Sequence, residues 1–110
     1  MSNADLSPDQ VEQLVADGAQ LVDVRENYEH EAGHIPGDEH IPFDELPLAA
    51  SRFQRDKPVV FYCRVGNRSA VAVELFGASG FDARHLAGGL AAWVEKGKPI
   101  EPKDGEVAPH

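Results

Sequence analysis

The chain is poor in cysteine, in positive charge and in long apolar runs. One cysteine among 110 residues excludes an internal disulfide, and small secreted domains commonly rely on several. Ten basic residues against 19 acidic ones leave a formal net charge of -9. That balance opposes nucleic acid and anionic membranes as partners, because both need a basic face to neutralise phosphates. No apolar run approaches the length of a membrane span. The opening MSNADLSPDQ has neither the basic nor the apolar stretch of a secretory signal. The expectation is a reducing, cytoplasmic setting. Gly88 and Gly89 belong to no phosphate-loop pattern, and no internal repeat is visible.

What is present suffices for a packed core. Hydrophobic residues make up 42% of the chain, and its length fits one compact domain. Residues 1–100 are expected to form that domain. Residues 101–110, with two prolines and mostly acidic charge, are expected to form a mobile tail.

Ser7 as cap, Pro8 at the first position and Gly18 as stop predict a first helix, with Val11, Leu14 and Val15 on one face. Leu21 to Val24 reads as a short buried strand, and Arg25 to Glu31 as a loop or short helix. Gly33, Pro36, Gly37 and Pro42 mark a loop around an extended piece near Ile41. Glu45 to Phe53 reads as a modest helix. Val59 to Tyr62, β-branched and aromatic, is the best strand. A helix follows CRVGNRS, with Val71, Ala72, Leu75 and Phe76 on its buried face. Ala83 to Leu86 reads as a third strand and Leu90 to Glu95 as a last helix; Trp93 and Phe81 read as core. Strands alternating with helices imply an α/β fold, a mainly parallel central sheet flanked by helices on both faces. Sites in such sheets lie beyond the carboxyl ends of the strands. Cys63 falls at such an end, as do Asp23 and Arg25.

The segment Cys63-Arg64-Val65-Gly66-Asn67-Arg68-Ser69 carries the chemistry. A buried strand delivers a thiol into a short loop that enters a helix. Loop amides and the helix amino terminus can converge on the sulfur, and Arg64 and Arg68 add positive charge. All of these favour thiolate, the nucleophilic form. Gly66 lets the backbone bend, and Ser69 can cap the helix or donate toward the ring of amides. A purely structural cysteine would be followed by core residues rather than by this polar, basic run.

Two blocks resemble the rhodanese family. One is LVDVRENYEHEAGHIPGDEHIP, residues 21–42. The other spans residues 59–99 and contains YCRVGNRSA, HLAGGLAAW and GKP. The resemblance implies a three-layer fold and an active loop from Cys63 to Arg68. It also implies a sulfurtransferase in which Cys63 takes sulfur from a donor such as thiosulfate and passes it, as a persulfide, to cyanide or to a small or protein thiol. No metal or organic cofactor is implied. Asp38 and Glu39 depart from the small or apolar residues usual after Pro-Gly, and would repel an anionic donor if they faced the site.

Three rival readings bear on the same residues. One alternative is a non-catalytic binding or regulatory module of the same fold; the intact cysteine argues against it, since the resemblance implies that such relatives often lose that residue. Cysteine phosphatases and arsenate reductases need one residue more between Cys and Arg than the four found here. His30 and His34 match the H-E-x-x-H zinc pattern, but Gly33 and Pro36 break the helix it requires. Arg25 reads chiefly as half of an ion pair, with Glu31 as a candidate partner, and Asp23 as an acceptor of backbone N–H groups.

Overall fold

The computed structural model describes residues 4–110; residues 1–3 of the expected 1–100 domain lie outside that range. Five strands and four helices follow in the order β1 (Asp5–Leu6), α1 (Pro8–Ala16), β2 (Gln20–Asp23), α2 (Asn27–Ala32), β3 (Glu39–His40), β4 (Val59–Tyr62), α3 (Asn67–Ala78), β5 (Ala83–Leu86) and α4 (Gly89–Glu95). The strands lie in the order β1-β5-β4-β2-β3, and every pairing is parallel.

Side-chain alternation along β4 builds the three layers. Val59, Phe61 and Cys63 face one side, where Phe53, Phe76 and Phe81 close the core with α3. Val60 and Tyr62 face the other, against Val11 of α1 and Leu90 and Trp93 of α4. Each such fully buried side chain contributes about 1.5–3 kcal/mol. The sheet is covered on both faces, as parallel sheets require, and the expected α/β class is observed.

α1 begins as its sequence implies. Ser7 Oγ accepts from the Gln10 amide at 3.2 Å, and the Gln10 side chain accepts from the Ser7 amide at 2.9 Å. Elsewhere the fold departs from expectation. The helix expected over residues 45–53 is instead two 3-10 turns, Phe43–Leu48 and Ala50–Arg52. Pro47 lies inside the first, where its missing N–H and its ring oppose an α-helix. The buried stripe of α3 is Ser69, Ala72 and Phe76, leaving Val71 43% and Leu75 46% exposed. Burial of Ser69 beside the sulfur turns the helix away from the face expected. β1 was not anticipated, and two residues carry no periodic signal.

Residues 101–110, for which a mobile tail is expected, lie packed against α2. Glu101 pairs with His34, the Glu106 amide donates to the Ala32 carbonyl, and Ala108 is buried. The Tyr28 hydroxyl donates to the Pro109 carbonyl. The polar composition suggested a free segment, but its backbone finds partners on α2.

Candidate active site

Cys63 directly follows β4, and α3 starts four residues later. The turn between them depends on Gly66, which sits at φ 111° and caps α3. A Cβ there would meet the Ala87 carbonyl oxygen at 2.1 Å. Gly89 holds the loop from the other side: a Cβ on it would meet the Arg64 carbonyl oxygen at 2.3 Å. The Leu90 and Ala91 amides donate to the Cys63 and Arg64 carbonyls. The loop is therefore clamped between β4 and the start of α4.

Two main-chain amides aim at the sulfur. Gly66 N–H donates to Cys63 Sγ at 3.1 Å, and Ser69 N–H, in the first turn of α3, at 3.5 Å. Cys63 is only 1% exposed, yet it lines a cavity of about 280 Å³ with Arg64, Val65, Asn67, Arg68 and His110. The sulfur thus sits at the floor of a recess and receives donors from behind. This is an anion-receiving geometry.

The two loop arginines differ. Arg68 makes a bidentate pair with buried Glu29 at 2.8 and 2.9 Å. Burial works against the Glu29 charge, but Arg68's hydrogen bonds and charge prevail, so the carboxyl titrates below its usual range. Arg64 has no carboxylate partner among the described residues, and its buried Nε lacks a hydrogen bond. Arg64 is the cation free to meet an anion; Arg68 ties the loop to α2.

Asp23 and Arg25 lie at the neighbouring strand end and do not line the Cys63 cavity. Arg25 is fully buried and pairs with Asp23 at 2.9 and 2.8 Å, also donating to the Gly33 carbonyl at 2.7 Å. The candidate pair of Arg25 with Glu31 is not formed, because Asp23 is two residues away and already buried. Asp23 also accepts the Arg25 amide at 2.9 Å, as anticipated for a backbone acceptor. Desolvation opposes its charge, yet Arg25 outweighs it and holds the carboxyl below its usual range.

Asp38 and Glu39 do not line the Cys63 recess. Glu39 pairs with Arg52. Asp38 accepts from the Tyr62 hydroxyl at 2.6 Å and lies 3.0 Å from His34 Nδ1. Burial pushes the Asp38 carboxyl above its usual range against the pull of Tyr62 and the histidines. The ligand atoms of His30, His34 and Asp38 come within 4.8 Å of one another. α2 ends at Ala32, before His34, so the zinc-protease helix is absent. The rings of His30 and His34 are stacked, 4.0 Å apart and 20° from parallel. A bound ion must lie in the plane of each ring at about 2.0–2.1 Å. Planes so disposed do not meet within that reach, and the cluster is a hydrogen-bonded stack.

Sequence reasoning missed Glu29 as the partner of Arg68, and it missed His85 and Asp5, which lie behind Ser69. Glu29 is one of four glutamates in residues 21–42, and nothing local set it apart. His85 carried no signal.

The fold and site agree with what comparison finds. The Rhodanese-like domain profile matches residues 7–96, and the chain belongs to that family. It is 37% identical to a thiosulfate sulfurtransferase, GlpE, of Pseudomonas aeruginosa, across 80% of this chain and 81% of that protein. It is also 37% identical to a putative sulfurtransferase, YtwF, of Bacillus subtilis, across 72% of this chain and 77% of that one. Among solved structures, a rhodanese-related protein from Thermoplasma volcanium superposes with a TM-score of 0.81 at 31% identity, covering 87% of this chain and 95% of that one. No helix among the described residues is long and apolar enough to cross a membrane.

Proposed function

We propose that this member of the sulfurtransferase family moves sulfane sulfur from a small anionic donor, thiosulfate or a close analogue, to an external thiol or cyanide. Cys63 is the nucleophile. One observation carries the reading: the only cysteine of the chain receives two backbone N–H groups at the floor of an open recess. Those donors stabilise negative charge on the sulfur before and after loading.

In the first step the Cys63 thiolate attacks the outer sulfur of the donor. The sulfur–sulfur bond of thiosulfate breaks, and sulfite leaves with the electron pair. Arg64 steers the donor anion, while Arg68, fixed by Glu29, adds charge behind it. Val65, Gly66, Asn67 and Ser69 shape the pocket through their backbone. In the second step an acceptor nucleophile takes the outer sulfur, and Cys63 departs as thiolate. With no second cysteine, the acceptor comes from outside the chain. Asp23 and Arg25 support the loop at the adjacent strand end. The chemistry calls for no metal or organic cofactor, and a reducing cytoplasm keeps the thiol available.

The test is intact mass after incubation with thiosulfate. The wild type is expected to gain one sulfur atom, reversed by cyanide, and Cys63→Ser to gain none. A wild type that gains nothing, under conditions that load another sulfurtransferase, overturns the proposal.

A further inference from the structure

Behind the sulfur, on the side away from the recess, runs a second file of polar atoms. Cys63 Sγ lies 3.6 Å from Ser69 Oγ, Ser69 Oγ lies 2.8 Å from His85 Nδ1, and His85 Nε2 lies 2.9 Å from Asp5 Oδ1. Ser69 is fully buried and His85 is 5% exposed. The Asp5 side chain is 41% exposed, so the file ends at solvent. Asp5 and His85 are direct partners in the parallel pairing of β1 with β5. The two-residue strand β1 thus sets this carboxylate against this imidazole.

The donors can be assigned from chemistry. An ionised carboxylate only accepts, so Asp5 fixes the proton of a neutral His85 on Nε2. Nδ1 then presents a lone pair 2.8 Å from Ser69 Oγ, a nearer acceptor for the hydroxyl than the Gly66 carbonyl at 3.2 Å. A lone pair of Ser69 Oγ remains to accept the Cys63 thiol proton. A buried histidine bonded at both ring nitrogens, one file of atoms from a nucleophile, is more than filler for a strand.

We propose that Ser69, His85 and Asp5 form a proton relay that withdraws the thiol proton of Cys63. The S–H bond breaks and its electron pair stays on Sγ. Ser69 Oγ takes that proton and passes its own to His85 Nδ1, leaving an imidazolium held by the Asp5 carboxylate. One proton is displaced along the file and nothing is oxidised or reduced. The relay rests on the sulfur-transfer reading for its purpose, since transfer needs thiolate, but its proton chemistry can be measured without any sulfur donor. Other charges face the same sulfur: Arg64 and Arg68 from the loop, Glu29 of α2 through Arg68, and His110 across the recess. They are unchanged in variants at residues 5 and 85, so a differential measurement isolates the relay.

The experiment is the alkylation rate of Cys63 by iodoacetamide against pH, in the wild type, His85→Asn and Asp5→Asn. Asparagine keeps a hydrogen-bonding group near the Nδ1 position but cannot take up the proton. His85→Asn is expected to react about tenfold more slowly at neutral pH, the equivalent of one unit in thiolate ionisation. It should converge on the wild-type rate in strong alkali, where every thiol is ionised. Asp5→Asn, at a half-exposed position, should show the same pattern with a loss of about threefold. A profile for His85→Asn that overlays the wild type, or lies below it by one constant factor at every pH, overturns the relay in favour of a merely structural histidine. Should His85→Asn fail to fold, Asp5→Asn decides by the same criterion. Thiosulfate loading of the wild type is scored separately. Loading with overlaid profiles keeps the transferase and removes the relay, and shifted profiles without loading do the reverse.

Discussion

Two loops leave the same end of the sheet, one after β2 and one after β4, and they put their polar groups to opposite uses. After β4, the residues from Cys63 to Ser69 point N–H donors at a single sulfur and leave Arg64 without a partner. After β2, carboxylates and histidines are spent on each other: Asp23 on Arg25 and His30, Asp38 on Tyr62 and His34. Both loops are buried and charged. Each keeps one unpaired arginine nitrogen, Arg64 Nε in the first and Arg25 Nη1 in the second, but only the first also aims main-chain N–H groups at a nucleophilic atom lining a recess. A strand's carboxyl end offers a location; donors that converge on one atom beside an open recess are what distinguish the Cys63 loop from its neighbour.

The comparison can be broken first at its glycines. Gly66→Ala puts a Cβ into the Ala87 carbonyl at a positive φ. We expect a loss of about 3 kcal/mol in denaturant unfolding and loss of sulfur loading. Gly37→Ala, also at positive φ but with open space around it, should lose about 1 kcal/mol and load normally. Next come the two arginine–carboxylate pairs. Asp23→Asn should destabilise by about 3 kcal/mol, since it strands the fully buried Arg25, and Glu29→Gln by less, since Arg68 is partly exposed and reaches the recess. Of the two, only Glu29→Gln should slow loading several-fold in the folded protein, because Arg68 and the loop are then released from α2.

Smaller in effect is Arg64→Ala. It should raise the KM for thiosulfate about tenfold, as loss of one charge-assisted contact implies, while the unfolding midpoint barely moves. The smallest effect is a pH dependence. Glu29 and Asp23 both titrate lower in the folded chain than in the unfolded one. Their contribution is therefore complete above the ordinary carboxylate range of about 4, and it fades as pH falls through their lower folded values. Unfolding scans at descending pH should show the wild type losing more stability than Glu29→Gln over that window.

Much of this was legible in the chain. Val59 to Tyr62 announced the central strand because a strand buried on both faces reads as continuous apolar residues. Ser7, Pro8 and Gly18 announced α1 because capping is a local matter. Cys63 with its glycine and arginines announced the loop. Partnerships between distant segments were not legible. Glu29 meets Arg68 across 39 residues of chain, and nothing local says which carboxylate an arginine will choose. Asp5 and His85 are 80 residues apart and meet only because β1 adds to the sheet edge. The exposed Val71 and Leu75 show the same limit, since the face of α3 is set by where Ser69 must sit.

The central proposal is that the N–H groups of the folded loop stabilise negative charge on the Cys63 sulfur. With one cysteine in the chain, the thiolate absorbance in the ultraviolet at neutral pH, read against a Cys63→Ser blank, reports this sulfur alone. The account predicts clear thiolate absorbance in the native protein that disappears when urea unfolds it at the same pH. Equal absorbance in the two states, or more in the unfolded one, would contradict it.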